Sequence, residues 1–154
     1  MPPRYFTREE LLAAPAGAFR WEFAVRLQDV DAAGIVFFAR IFEYFHDSLM
    51  DYLEQHGVSM PRWLADGVVL APIKHAEADY IAPLRFGDRM AVELCRGWVG
   101  ETETIVGYRI VFADGGRPAA VGQTHHVCVD RAAGARTALP PLFADALRRL
   151  PGAG

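Results

Sequence analysis

Two different periods run along the chain. Trp21, Phe23, Val25 and Leu27 alternate with Glu22, Ala24, Arg26 and Gln28, and alternation with period two marks a half-buried strand. Further on, the apolar positions shift to 41, 42, 45, 49, 52 and 53, a spacing that lines one face of a helix. Gly57 stands where a left-handed residue closes such a helix, so one long helix is predicted over 41–56. Its aromatic load (Phe42, Tyr44, Phe45, Tyr52) requires that it be largely covered. Residues 61–67 add a turn of helix ending at Gly67. Strands dominate after it, over 68–80, 89–99, 102–113 and 119–130. Pro83 with Gly87-Asp88 marks a turn, and Gly100-Glu101 and Asp114-Gly115-Gly116 are hairpin signals. Pro140-Pro141 introduces a final short helix over 142–150. At the front, Thr7 and Glu10 have the spacing of a capping box, which predicts a short helix that Pro15-Ala16-Gly17 stops.

One strand, one long helix and four strands joined largely by tight turns do not suit a parallel sheet, where every step needs a crossover. The fold class predicted is α+β, a curved antiparallel five-stranded sheet wrapped around one central helix. Residues 1–20 form an N-terminal appendage carrying the short helix, and 21–154 form a single domain.

Composition narrows the function. A chain of 154 residues, 52% hydrophobic and 23% charged, has the material for one core and is not disordered. A net charge of −3 argues against a nucleic-acid partner. Cys95 and Cys128 cannot make a disulfide framework, and neither lies in a C-x-x-C pair. No apolar stretch has signal-peptide length, and none approaches the roughly 20 residues that span a bilayer. The expectation is a reduced, cytoplasmic protein with no membrane partner.

The most informative stretch is 29–38. Two carboxylates, Asp29 and Asp31, stand at a strand end, followed by small residues and Gly34, then an apolar run into the long helix. Small residues let a backbone approach a ligand, and the first turn of a helix offers unpaired N–H groups suited to an oxyanion. A carboxylate beside such donors is the equipment of acyl transfer. Ordinary loop or capping acids would look the same. The histidines offer no converging ligand set, since His126 and Cys128 share a strand face that His125 does not; no metal site is predicted.

These residues resemble a family. Asp29-Val30-Asp31-Ala32-Ala33-Gly34-Ile35-Val36-Phe37-Phe38 resembles the D-x-D-x-x-G-[IV]-V-[FYW]-[FYW] signature of the 4-hydroxybenzoyl-CoA thioesterase group of hotdog-fold acyl-CoA thioesterases. Phe45-His46-Asp47, Pro83 with Phe86-Gly87-Asp88, and Gln123-Thr124-His125-His126-Val127-Cys128 with Leu139-Pro140 extend the likeness. The last set is most similar to the branch that hydrolyses 1,4-dihydroxy-2-naphthoyl-CoA on the way to quinones. The resemblance implies a hotdog fold and hydrolysis of an aromatic acyl-CoA to acid and CoA. It makes Asp31 the catalytic carboxylate, as nucleophile or general base, and Phe38 and Gly34 the site of backbone polarisation of the thioester carbonyl. It implies no cofactor beyond the CoA of the substrate, and a homodimer or homotetramer with sites between subunits. One related branch carries His at the position of Phe38, so Asp31 here works without it. Phe37, Phe42 and His46 are candidates for the substrate pocket, although core packing would explain the phenylalanines equally well. Arg40, Arg131 and Arg136 are candidates for the CoA phosphates. Short or medium aliphatic acyl-CoA, a carrier-bound acyl chain, or a non-catalytic acyl-CoA-binding module are the alternatives.

Overall fold

The computed structural model describes residues 3–17 and 19–153. Thr7 caps α1 (Arg8–Ala13) with a full capping box, its hydroxyl accepting from the Glu10 N–H while Glu10 accepts from the Thr7 N–H at 2.7 Å. The alternating stretch forms β1 (Arg20–Ala24) and stops earlier than its pattern predicts. Val25 turns to bond the Asp88 carbonyl, and Leu27–Asp29 forms a 3-10 turn that leaves Leu27 exposed. The long helix α2 (Arg40–Gln55) follows, then α3 (Met60–Asp66), closed by Gly67 in the left-handed conformation.

Two predicted strands are each broken in two. Residues 68–80 divide into β2 (Val69–Leu70) and β3 (Ile73–Tyr80), because Pro72 has no N–H for a ladder. Residues 119–130 divide into β6 (Pro118–Val127) and β7 (Val129–Asp130), where the Cys128 N–H leaves the sheet for the Thr102 carbonyl. The short pieces β2 and β7 pair with each other. Between them lie β4 (Arg89–Val99) and β5 (Glu103–Phe112), and α4 (Pro141–Arg148) ends the chain.

The main sheet has the order β1-β4-β5-β6-β3, antiparallel throughout. α2 crosses its inner face: Tyr44 meets Phe23 of β1, and Phe45 stacks on Tyr108 of β5 at 4.5 Å between centroids. α4 joins this layer, with the Tyr52 hydroxyl donating to the Ala146 carbonyl. The middle strands are buried on both faces. The outer face is covered by α1 and the residue after it, with Leu11 and Ala14 packed on Cys95 and Val121. The segment read as an appendage therefore lies against the sheet. This is the hotdog arrangement that the resemblance implies.

Candidate active site

The two acids of the 29–38 stretch have separate fates. Asp29 is fully buried. Its carboxylate accepts from Arg26 Nε at 3.1 Å and Nη2 at 3.0 Å and from the Tyr44 hydroxyl at 2.8 Å, with Arg40 Nε at 3.8 Å. Burial works against the charge, but Arg26 and Tyr44 together prevail and hold the Asp29 carboxyl below its ordinary range. Burial, and then the hydrogen bond to Asp29, push the Tyr44 hydroxyl well up, so it stays a donor. The Asp29 carbonyl also accepts the Phe37 N–H at 2.9 Å. This residue is the anchor of the loop.

Asp31 stands at the tip. Val30 and Val36 form an antiparallel bridge, and between them the Asp31 N–H donates to Ile35 and the Gly34 N–H to Asp31. Gly34 has φ of 78°, a left-handed conformation that a side chain resists, and open space where its Cβ would be. Asp31 is exposed, and its Oδ1 accepts the Ala33 N–H at 2.8 Å. Among the described residues no cation pairs with it and Oδ2 has no donor.

The exposed acid forms part of the wall of a cavity of about 440 Å³, with Ile35, Phe37, Phe38, Tyr80 and Leu84. Phe37 and Phe38 are exposed and meet edge to face at 4.7 Å. The Tyr80 hydroxyl donates to the Phe38 carbonyl at 2.7 Å and so fixes the peptide just before α2. Among the described residues no acceptor takes the N–H of Phe38 or Ala39. Unpaired donors at the positive end of a 16-residue helix, beside a free carboxylate, form a site for a carbonyl that gains negative charge.

The remaining sequence-predicted residues are scattered. Phe42 packs edge to face on Phe45, away from the walls of this cavity. His46 lines a second cavity, of about 170 Å³, between α2 and α3, with Leu70, Ala71, Trp63 and His126. His126 is buried and neutral: burial drives its pKa down, and its ring nitrogens meet the Ala71 carbonyl and the Thr124 hydroxyl. Arg40 is held by Glu43 at 2.7 Å and Arg136 by Glu103 at 3.2 Å. Arg131 lies against Gly67, at the end of α3. Among the described residues no group of three or more His, Cys, Asp or Glu side chains could hold a metal ion, and no helix is long and apolar enough to cross a membrane.

The thioesterase-like superfamily matches this chain over residues 25–147, from the end of β1 to within α4. The chain belongs to this superfamily. Among individual thioesterases, it is 32% identical over 131 residues to the 1,4-dihydroxy-2-naphthoyl-CoA hydrolase of Synechococcus elongatus, covering 84% of this chain and 95% of that one. The enzyme of the same name from Rippkaea orientalis is 34% identical over 116 residues, 75% of this chain and 84% of that one. The crystal structure of a 1,4-dihydroxy-2-naphthoyl-CoA thioesterase from Synechocystis superposes with a TM-score of 0.80 at 29% identity, covering 84% of this chain and 94% of that one. Three side chains of this thioesterase carry parts that its pattern of apolar and polar residues does not disclose. Tyr44 and Tyr80 look like ordinary core or strand tyrosines in sequence, yet their hydroxyls hold the two ends of the acid loop. Arg85 follows Leu84 of the cavity wall, and among the described residues its guanidinium has no partner. Only its place one residue after a wall position marks it out.

Proposed function

We propose that this thioesterase hydrolyses an aromatic acyl-CoA, in the first instance 1,4-dihydroxy-2-naphthoyl-CoA, to the free acid and CoA, with Asp31 as the catalytic carboxylate. The observation that carries the assignment is the contrast within the acid pair. Asp29 is saturated and buried, whereas Asp31 presents an open oxygen on the wall of the cavity beside the free N–H of Phe38. In the reaction the thioester carbonyl accepts from that N–H, which stabilises the oxyanion as the carbonyl carbon becomes tetrahedral. Asp31 attacks the carbon itself to form a mixed anhydride, or takes a proton from the attacking water. The C–S bond then breaks and CoA leaves; on the anhydride route water next opens the anhydride to release the acid and restore Asp31. On either route the consumed water supplies the thiol's proton and, directly or by way of Asp31, the acid's new oxygen. Label found in Asp31 after a single turnover in heavy-oxygen water marks the anhydride route, with water attacking the Asp31 carbonyl of the anhydride. Neither route needs a cofactor, and treatment with a chelator should leave the rate unchanged.

The cavity has one acid, three aromatic rings and an open far side, and a second copy of the chain supplies the missing wall. β3 is an edge of the sheet, and Ile73 at one end and Tyr80, Ile81, Phe37 and Phe38 at the other are exposed. An open edge flanked by apolar side chains calls for a partner. Two-fold antiparallel pairing of β3 lays the Tyr80 end of one strand by the Ile73 end of the other, roughly 23 Å away in a single chain at about 3.3 Å per residue. The Ile73 end adjoins the α2–α3 cavity with His46. The composite site then holds the thioester at Asp31 and the aromatic ring in the neighbouring α2–α3 cavity. Arg85, one residue from the cavity wall, and Arg131, beside α3, are the cations assigned to the CoA phosphates. Thiol release over a panel of aromatic, aliphatic and carrier-bound thioesters tests the reading. An aromatic preference of at least about tenfold in kcat/KM supports it, and no turnover of any thioester overturns it.

A further inference from the structure

The α2–α3 cavity has an exposed mouth at His46 and a buried end at Phe143. At about 170 Å³ it is one aromatic ring deep, since an apolar cavity of about 150 Å³ binds benzene. The space does not end there. Trp63 and Phe143 also line a second, larger hollow of about 560 Å³ between α3, β2 and α4. These two rings, edge to face at 4.9 Å, are the wall that the two spaces share. The indole is held in place, because its Nε1–H donates to the Val69 carbonyl on β2. The halves of the wall differ in how firmly they are built. Phe143 is a core residue of α4, whereas Trp63 is half-buried and hangs from α3, a seven-residue helix with no buried side chain. Beyond the wall the hollow is an apolar groove along Val58, Val69 and the exposed Val68 and Leu142. Its charged groups, Arg62 and Asp66, are both exposed.

We infer that the Trp63 indole sets the length of the acyl group this thioesterase accepts, an inference that rests on the placement of the acyl ring in the α2–α3 cavity. The indole stops the pocket one ring deep. Without it the pocket runs on into the groove, whose apolar walls suit an alkyl chain carried on the far side of the ring. In a closed apolar pocket each methylene that does not fit costs roughly tenfold or more in kcat/KM. A longer chain is therefore refused by this wall rather than by the catalytic carboxylate. Trp63 is the part of the wall that sets the limit, because Phe143 cannot change without opening the core.

The test uses benzoyl-CoA thioesters that carry a methyl, butyl or octyl chain opposite the carbonyl. A matching series of thioether analogues, in which a methylene separates sulfur from the carbonyl, binds without being hydrolysed. In the wild type kcat/KM should fall at least about a hundredfold from methyl to octyl, and calorimetric affinity for the analogues should fall in parallel. Trp63→Ala should reduce both ratios to less than about tenfold. A merely structural role for the indole would weaken every member alike and leave the ratios where they were. Adding Leu142→Trp, which fills the groove from an exposed position on α4, should restore the wild-type ratios. If Trp63→Ala does not fold, Trp63→Leu carries the same readouts at smaller amplitude. Equal ratios in wild type and variant overturn the inference, and so does a gain that survives Leu142→Trp. Analogues that bind with the expected length limit while no thioester is turned over uphold the wall and overturn the hydrolysis instead. Analogues that do not bind at all overturn both.

Discussion

At the scale of single residues, the site depends on two aspartates that differ in surroundings rather than in chemistry. Asp31→Asn keeps the shape and the Ala33 contact but leaves neither base nor nucleophile, so kcat should fall at least about a hundredfold with the melting temperature unchanged. Asp29→Asn should do the reverse. It removes the charge that Arg26 and Tyr44 hold, a loss of about 1.5–3 kcal/mol for hydrogen bonds to a charged group. Because the folded-state pKa of Asp29 is depressed, this stabilisation is fully present above the unfolded pKa and is lost as pH falls through the folded one. Urea melts should therefore separate wild type from Asp29→Asn at neutral pH, with the gap narrowing in acid as pH falls below the ordinary aspartate range. Arg85→Ala should raise KM about tenfold and leave kcat alone, the pattern of a group that binds the carrier portion of the substrate. The D-x-D spacing makes both acids visible in the sequence. Which of them is free is settled by Tyr44 and Arg26, and neither residue type announces a partner three or fifteen positions away.

At the scale of elements, the alternating and helical periods disclose the architecture, and the errors fall where a single backbone group changes hands. Pro72 and Cys128 each end a strand that side-chain alternation would continue, because hydrogen bonding and not hydrophobicity sets the boundary. The covering of the outer face is equally hard to read. Leu11, Leu12 and Ala14 form too short an apolar run to reveal a target, and Arg109 and Gln123, the residues that hold it, read as solvent-facing positions of a strand. Close approach of α2 to the sheet carries a sharper constraint. A Cβ at Gly122 would stand 2.4 Å from the Glu77 carbonyl and 2.6 Å from the Phe45 ring. Gly122→Ala should therefore destabilise the fold by about 1–3 kcal/mol or more through overpacking, measured by chemical denaturation. Tyr80→Phe tests the tie between β3 and the acid loop. Losing one hydrogen bond to the Phe38 carbonyl should lower kcat roughly three- to tenfold, about 1 kcal/mol, while the fold persists.

At the scale of the whole molecule, the two cavities are the question, because a thioester and its aromatic ring need continuous space. Within one chain the acid wall and the α2–α3 cavity share no residue, and the length of β3 separates them. The two-fold pairing of β3 proposed above would make them neighbours, each site taking its acid from one chain and its ring pocket from the other. This arrangement has a signature that a self-contained site cannot reproduce. Asp31→Asn removes the acid, and His46→Trp fills the ring pocket from an exposed position on α2 without entering the core. Each homodimer should be inactive. In a mixed dimer, one site combines the mutated acid with the filled pocket, while the other combines an intact acid with an intact pocket. Random exchange of equal amounts makes half the dimers mixed, with one working site of two, so activity should return to roughly a quarter of wild type. If each chain held its whole site, every site in the mixture would carry one of the two lesions and the mixture would stay inactive. Recovery of activity on mixing, measured after subunit exchange and absent when the chains are kept apart, therefore establishes the shared site; a mixture without activity whose exchange is confirmed by mass returns both cavities to a single chain.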